Sequence, residues 1–269
     1  MLDTENRLNG LPKVKMRQPE LHLLCAVTNK DVLHRELLAS PDLAGSAPER
    51  ARVRLVHGAT SAAQACNPLL RQLAGGVRPD ADPWVVWLHQ DVRLPEGWAG
   101  HFAQRLLEAQ ERWPELAVAG VYGLTGMGEQ AVRAGDVWDR GSRLAEPLPL
   151  PCSASSLDEL LVAVRAGSGL MLDPALGFDL YATDLCLQAE ERGLQAAVLH
   201  SPVWHASETP RSGAAPRAVL ERIARSADVF ERKWAARLPV FTPCFEIRQV
   251  GDVRSFIAAN FEALDGGHG

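Results

Sequence analysis

The sequence lacks the patterns that several classes of protein require. Its five cysteines are scattered and include no CxxC pair, so neither a disulfide framework nor a structural zinc site is indicated. No stretch approaches the roughly 18 apolar residues that a spanning helix needs. Residues 1–19 are polar and have no apolar segment typical of a secretory signal. We therefore expect a cytoplasmic protein with no integral membrane segment.

Strong charge and the common nucleotide fingerprints are also missing. A net charge of -5 gives no general attraction to nucleic acid or to anionic membranes. The first predicted strand is followed by Thr28 and Asn29 without a GxGxxG fingerprint, which disfavours a dinucleotide-dependent oxidoreductase. The glycines of 123–128 match neither that fingerprint nor GxxxxGK[ST], and we interpret them as a mobile surface loop. Residues 167–169 lack the GxSxG spacing of a serine hydrolase.

What is present in the first half is an alternation of short apolar runs with helical patterns. This alternation predicts an α/β fold in which parallel strands are joined by right-handed helical connections. The predicted strands should be neighbours in one central sheet with helices on both faces. The strands are predicted at 21–27, 53–57, 84–89 and 116–121, and the helices at 31–38, 61–72 and 98–112.

The alternation breaks after residue 121. Residues 136–145 are polar and predict an irregular segment, and 240–250 predict extended chain. Two further strands are predicted at 157–164 and 195–199. Helices are predicted around 183–193, 217–237 and 256–264.

The most informative stretch is the third predicted strand and the residues that follow it. Residues 85–88 form an unbroken apolar run, which is typical of a strand buried on both faces. His89, Gln90 and Asp91 come directly after it. Because open α/β sheets bind ligands at the carboxyl ends of their strands, we hypothesise that Asp91, with His89 near it, helps to hold a divalent cation. The alternative is a strand end that is merely polar.

Two other polar positions allow more than one interpretation. Asp184 lies in the first turn of a predicted helix, where a carboxylate can act simply as a cap. His205 follows the strand predicted at 195–199 and is either a loop residue with its hydrogen bonds satisfied or a ligand. Local sequence does not separate these alternatives.

Three separated stretches, taken in order, resemble the nucleotide-sugar-dependent glycosyltransferases of the GT-A fold, within the family 2 group, and are most similar to its StrF-like branch. Together the resemblance covers about residues 20–210. The matching residues are 87–92 with Trp98, then 157–159, then 178–187 with Gly193 and His205.

The resemblance implies a GT-A-like (Rossmann-like) single domain with a central mixed, mostly parallel sheet flanked by helices. It would span 20–263, with a nucleotide-binding part at about 20–125 and an acceptor part at about 126–250, between a flexible leader (1–19) and a tail (264–269). The implied activity is inverting transfer of a sugar from a UDP- or GDP-sugar to an unknown acceptor hydroxyl, with Mn²⁺ or Mg²⁺ as cofactor.

The resemblance also implies roles for single residues. Asp91 stands at the last acid of the family's DxD motif, and His89 replaces the first. The implied metal ligands are Asp91, His205 and His89, and the implied base is Asp184. The donor would contact Thr28, Asn29, Asn67, Gln90 and Asp91, and the acceptor would contact Asp158, Glu159 and Tyr181.

These residue types also suit the chemistry. A hard cation held by a carboxylate stabilises the charge that grows on a leaving nucleoside diphosphate, and imidazole ligands are tolerated if the cation is Mn²⁺. An aspartate near a partly desolvated cleft accepts the acceptor's proton. A rival interpretation is a GT-A-shaped protein that binds a nucleotide or sugar without transferring it. Residues 57–59 lack an acid to contact the base, and Asp158 with Glu159 also fits a merely polar strand start.

Overall fold

The computed structural model describes residues 17–44, 52–76, 81–207 and 212–264. It shows a mixed α/β fold with a large mixed sheet flanked by helices. The predicted leader and tail lie outside the described residues, apart from Arg17, from Gln18 and Pro19, which begin the first strand, and from Leu264, which ends the last.

The helices are α1 Lys30–Arg35, α2 Ala62–Gly75, α3 Trp98–Arg112, α4 Tyr181–Glu191, α5 Arg217–Lys233 and α6 Asp252–Asn260. The strands are β1 Gln18–Val27, β2 Val53–His57, β3 Ala81–Leu88, β4 Val92–Arg93, β5 Leu116–Gly120, β6 Tyr122–Thr125, β7 Val132–Asp139, β8 Ser142–Ala145, β9 Cys152–Ser153, β10 Ser156–Leu157, β11 Leu161–Arg165, β12 Gln195–Val198, β13 Trp204–His205, β14 Gly213–Pro216, β15 Val240–Phe241, β16 Glu246–Ile247 and β17 Phe261–Leu264. No helix in these ranges is both long and apolar enough to cross a membrane.

The large sheet has the strand order β2-β1-β3-β11-β5-β12-β9. The predicted neighbours β2, β1 and β3 pair in parallel, which confirms that part of the prediction. The prediction of a mostly parallel sheet is wrong, because β11 lies antiparallel between β3 and β5, and β9 pairs antiparallel with β12. Strand β11 is apolar, as β3 and β5 are, because it too is buried on both faces. An apolar run of this kind does not indicate the direction of a strand.

The central strand β3 separates two layers of the core. Trp84, Val86 and Leu88 pack with α3 on one face, while Val85 and Trp87 pack with α2 and α4 on the other. Because all five side chains are nearly inaccessible to solvent, the position and direction of this strand are fixed by apolar burial on both sides. The end of β3 therefore places residues 89–91 rigidly.

A second sheet has the order β10-β6-β7-β13-β4 and overturns one interpretation of the glycines. Gly123 lies in strand β6 and not in a loop, whereas Gly126 and Gly128 lie in the surface turn that follows it, as the loop interpretation predicts. A Cβ atom on Gly123 would lie 2.3 Å from the carbonyl oxygen of Ser156 on the paired strand β10. The glycine is therefore needed for the close approach of two strands.

The segment 136–145, predicted to be irregular, is also part of this sheet. It contains the end of β7 and all of β8, which pair as an antiparallel hairpin. Arg140 and Gly141 form its turn, and both have positive φ angles (50° and 77°), as a tight two-residue hairpin turn requires. Polar composition alone concealed this hairpin because one face of it is exposed.

The C-terminal part follows the prediction less closely. Helix α5 ends at Lys233 and continues as a 3₁₀ turn, Ala235–Arg237. The predicted helix at 256–264 is wrong at both ends, because α6 begins at Asp252 and residues 261–264 form β17. Strand β17 pairs in parallel with β14, a partner nearly 50 residues away that local pattern does not reveal.

Candidate metal centre

The end of the central strand meets an edge of the second sheet. Strand β3 ends at Leu88 and β4 begins at Val92, so the three residues 89–91 form the turn between them. Strand β13 pairs antiparallel with β4, with His205 opposite Val92. This pairing brings His205 beside Asp91, although 114 positions separate them in the chain.

His89, Asp91 and His205 each direct one ligand atom to a common point, and we call these residues the metal triad. His205 Nε2 lies 3.4 Å and His89 Nδ1 lies 3.9 Å from Asp91 Oδ1. All three atoms lie within 4.8 Å of one another, a spacing that one cation can span. Asp91 Oδ1 is buried and makes no well-formed hydrogen bond within the described residues. This unused acceptor fits a bound cation.

The outer nitrogen of His89 is fixed by Tyr181. The Tyr181 hydroxyl lies 3.0 Å from His89 Nε2, donates to the carbonyl oxygen of Glu159 (2.8 Å) and accepts from Trp87 Nε1 (2.9 Å). Because the one hydroxyl proton is used on the carbonyl, His89 Nε2 must be the donor to Tyr181. The lone pair of His89 is then on Nδ1, which faces the triad.

The outer nitrogen of His205 is fixed by a carboxylate. His205 Nδ1 lies 3.2 Å from Asp139 Oδ1, so Nε2 is the nitrogen that faces Asp91. A carboxylate behind a metal-binding histidine orients the ring and makes it a better ligand. The sequence did not indicate Asp139, because its segment was predicted to be irregular and the turn residues Arg140 and Gly141 are not the Asn-Gly or Asp-Gly pair that signals a hairpin most strongly.

The triad is strongly coupled electrostatically. Burial would lower the pKa of His205, but its close contacts with the carboxylates of Asp139 and Asp91 raise it to about 10. Burial would raise the pKa of Asp91, but His205 and His89 lower it to about 2. Burial lowers the pKa of His89, with Asp91 acting in the opposite direction. The site thus holds positive charge between two carboxylates, where a cation can replace the proton.

The residues predicted to bind the nucleotide-sugar donor at the ends of β1 and β3 lie close together. Gln90 Oε1 accepts from the backbone nitrogens of Thr28 (3.0 Å) and Asn29 (2.9 Å), and Gln90 Nε2 donates to Thr28 Oγ1 (2.8 Å). The Asn29 side chain also caps α1 by accepting from two backbone amides. Gln90 therefore ties the loop after β1 to the residue beside Asp91.

Asn67 has a different environment. It is buried in α2, where its amide donates to the carbonyl oxygen of Leu172 (2.8 Å) and accepts from the Leu172 nitrogen (3.0 Å). The structure thus gives this side chain a packing role, tying α2 to the chain before α4.

Asp158 and Glu159 form the turn between β10 and β11, next to His89. The backbone nitrogen of His89 donates to the carbonyl oxygen of Leu160 (3.0 Å), and the Leu160 nitrogen donates to Asp158 Oδ1 (3.0 Å). Glu159 Oε1 is buried with no hydrogen-bond partner in the described chain. Burial, together with Asp179 and Asp158, raises the pKa of Glu159 well above its usual value.

Tyr181, predicted to contact the acceptor, is only 1% exposed. Its hydroxyl contacts three groups of the protein, one of which is the outer ring nitrogen of His89. The Tyr181 side chain is therefore inaccessible in this structure, whereas Asp158 and Glu159 are partly exposed, and contact of these residues with an acceptor stays a prediction.

Asp184 is fully buried, and both of its carboxylate oxygens are engaged. Oδ1 accepts from Trp234 Nε1 (2.8 Å) and pairs with Lys233 Nζ (2.7 Å), and Oδ2 accepts from Gln188 Nε2 (2.6 Å). The cap interpretation is wrong, because Leu180 occupies the N-cap of α4 and makes no side-chain cap bond. Asp184 instead links α4 to the end of α5, and its role as a base stays a prediction.

Comparison with known proteins does not show the family of this chain. No protein-family profile matches the chain. A relative from Fuscovulum blasticum, described as "ATP synthase subunits region ORF 6", is 30% identical over 134 residues, which are 45% of this chain and 51% of the relative. The chain thus spans about half the length of that relative.

Two of the similar solved structures share little sequence with this chain. A197 from STIV is 12% identical, with 72% of this chain and 87% of that chain covered and a TM-score of 0.41. GalNAc-T7, solved with UDP, GalNAc and Mn²⁺, is 11% identical, with 89% of this chain and 54% of that chain covered and a TM-score of 0.46. At these levels neither similarity assigns an activity, and the geometry of the triad carries the proposal below.

Proposed function

We propose that this protein is a metal-dependent glycosyltransferase that uses a nucleotide-sugar donor and keeps the GT-A arrangement of the StrF-like branch. The observation that carries the proposal is the metal triad, whose three ligand atoms converge while a buried oxygen of Asp91 has no well-formed hydrogen bond in the described residues. The resemblance of residues 87–92 and 178–187 to that family supports it.

The donor set favours Mn²⁺ over Mg²⁺. Mg²⁺ prefers oxygen ligands and keeps several waters, whereas two imidazole nitrogens with one carboxylate suit Mn²⁺ and other transition metals. Such a cation, when bound, supplies charge stabilisation for the leaving diphosphate. His89, Asp91 and His205 would hold it, and Tyr181 with Asp139 keeps the ligand nitrogens facing inward.

The donor nucleotide would lie against the loop after β1. Thr28 and Asn29 are exposed, and their backbone is fixed by Gln90, one residue before Asp91. This arrangement supports a surface for a UDP or GDP moiety next to the residues that would hold the cation. Asn67 is not needed in this proposal because its amide is engaged with Leu172.

Inverting transfer also needs a group that accepts the proton of the acceptor hydroxyl. We place the acceptor beside Asp158 and Glu159, because their turn contacts His89 and because a carboxylate can take the proton of an acceptor hydroxyl. Asp184 serves as base only if Lys233 and Trp234 move away from its Oδ1.

The sealed position of Asp184 favours one second candidate, a protein of the same shape that binds a nucleotide or sugar without transferring it. The two candidates share the metal triad and the donor surface. They differ only in turnover.

The test is release of nucleoside diphosphate from a panel of UDP- and GDP-sugars, with Mn²⁺ and with a chelator. Asp91→Asn should abolish Mn²⁺-dependent release, while Asp228→Asn, which changes a partly exposed acid on α5 that pairs with Arg254, should not. Mn²⁺-dependent binding of the diphosphates without release from any donor would support the binding protein. Release that does not depend on Asp91 or on the metal would overturn the proposal.

A further inference from the structure

A cleft of about 580 Å³ opens beside the metal triad on the second sheet. Its lining includes two tryptophans, two arginines and one triad member: Trp138, Trp204, Arg93, Arg140 and His205. We call it the tryptophan cleft. Its volume is in the range of pockets that hold small ligands.

Strand register places the tryptophans side by side. Trp204 lies opposite Arg93 of β4 and is also paired with Trp138 of β7. Because side chains alternate between the two faces of a strand, these three residues share one face, while the next residue, His205, is directed to the triad. The same pairing that positions the metal ligand therefore also builds this row.

The two tryptophans are unusually accessible. Trp138 is 40% and Trp204 is 41% exposed, whereas tryptophan side chains are largely buried on average. The negative face of an indole ring attracts the polarised C–H groups of a sugar ring, and stacking also removes apolar surface from water. Two adjacent exposed indoles thus form a surface on which a saccharide can stack.

Each arginine is held in a fixed position beside a carboxylate. Arg140 is held by Asp139 (2.9 Å) and Ser207 (3.1 Å). Arg93 donates to the carbonyl oxygen of Arg35 (2.8 Å) and lies 3.3 Å from a carboxylate oxygen of Glu36. Guanidinium groups anchored in this way are pre-organised to bind a carboxylate or a phosphate.

We propose that the tryptophan cleft binds a saccharide that carries a carboxylate or phosphate group. The aromatic row recognises the ring, and Arg93 with Arg140 recognises the charge. The place of this saccharide as the distal part of the acceptor rests on the proposed function, because the cleft adjoins the triad at His205. Binding itself requires neither a cation nor a donor.

The test measures binding with a chelator present and no nucleotide. Isothermal titration and saturation-transfer NMR with glucuronic acid, glucose 6-phosphate and glucose should show that at least one acidic sugar binds at least tenfold more tightly than glucose. The two acidic probes separate a carboxylate ligand from a phosphate ligand. The double variant Trp138→Ala, Trp204→Ala should weaken that binding at least tenfold.

The matched control is Trp113→Ala. Trp113 is another surface tryptophan, covered by the Arg112 guanidinium at 4.4 Å from the ring centroid, and it lies at the end of α3. This variant should bind like the wild type. If the double variant does not fold, the single variants Trp138→Ala and Trp204→Ala replace it, each with a weaker loss.

Two results overturn the proposal. One is equal or absent binding of all three sugars by the wild type. The other is UMP binding that competes with the acidic sugars and is lost in the tryptophan variants, which would make the cleft a nucleotide site. Failure of the proposed function is separate, since it appears as absent diphosphate release and leaves these sugar-binding measurements unchanged.

Discussion

Asp91 and Asp184 are two aspartates with little exposed surface, and they differ in how much hydrogen-bonding capacity they leave unused. Asp184 is fully buried with three donors on its two oxygens, whereas the Asp91 side chain is 21% exposed and its buried Oδ1 lacks a well-formed bond in the described residues. A carboxylate that stabilises the fold has its acceptors filled by the protein. A carboxylate that is suited to bind a ligand has an acceptor position that the protein does not fill.

Their neighbours show the same difference. Asp184 is paired with Lys233 across two helices, an arrangement that offsets the cost of burying its charge. Asp91 faces His89 and His205, whose opposite nitrogens are occupied by Tyr181 and Asp139. The hydrogen-bonding groups around Asp184 are all paired within the protein, whereas those around Asp91 direct potential ligand atoms to one point.

The largest expected effect is on stability at the closed site. Asp184→Ala leaves Lys233, Trp234 and Gln188 without their acceptor, and we expect the free energy of unfolding to fall by about 3–5 kcal/mol. Urea denaturation measures it. Asp184→Asn keeps an acceptor for Trp234 Nε1 and should lose less. A loss below about 1 kcal/mol in Asp184→Ala would contradict the structural role and favour Asp184 as the base.

The open site should respond in the opposite way. Asp91→Ala removes a metal ligand, so Mn²⁺ affinity by isothermal titration should fall by about 100-fold or more, beyond the usual effect of residues behind the ligands. The metal-free free energy of unfolding should fall by about 2 kcal/mol, less than in Asp184→Ala, because the lowered pKa of Asp91 means that its charge stabilises the folded state. Unchanged affinity would remove Asp91 from the site.

A smaller effect on Mn²⁺ affinity is expected from Asp139, which contacts the proposed ligand His205. Asp139→Asn still accepts from His205 Nδ1 but carries no charge, and we expect Mn²⁺ affinity to fall by about tenfold. Asp136→Asn is the matched control, because Asp136 lies on the same strand and pairs with Arg143 (2.6 Å). If both variants bind Mn²⁺ equally, Asp139 does not tune the triad.

The sequence predicted the positions of most strands and helices but not the direction of β11. Apolar runs such as 85–88 indicate buried strands, because a strand buried on both faces requires apolar side chains. The polar residues that follow such a run indicate where the strand ends. Direction depends on which strand lies next to which, and β11 reaches its place between β3 and β5 only after the chain has crossed the second sheet. The β7–β8 hairpin was not predicted, because its exposed residues are polar and residues 136–145 show no regular alternation of apolar and polar side chains.

The site shows the same division. Strand ends and a family resemblance pointed to His89, Asp91 and His205, which the structure brings together. The partners that decide what each residue does are distant in sequence: Asp139 for His205, and Lys233 with Trp234 for Asp184. Local pattern therefore indicated candidate residues but not whether their hydrogen bonds were already satisfied.

The smallest expected effect tests Glu159, which belongs with Asp91 in this comparison because its Oε1 is also buried without a partner in the described chain. Burial, Asp179 and Asp158 raise its pKa in the folded protein. The folded state therefore keeps a proton that the unfolded chain releases near pH 4.5, and wild-type stability falls as pH rises above that value toward the folded pKa.

Glu159→Gln cannot ionise, so this part of the pH dependence should disappear. We expect its Tm to be close to that of the wild type at pH 4 and higher by about 2 °C or more at pH 8, the size of a shift that follows from a change of about 1 kcal/mol. Glu221→Gln on α5, an exposed acid paired with Arg225, is the control and should show no such divergence. If Glu159→Gln is more stable but has lost sugar transfer, the carboxyl is kept for chemistry at a cost in stability. Parallel Tm curves for Glu159→Gln and wild type between pH 4 and 8 would contradict the raised pKa and leave Glu159 without this role.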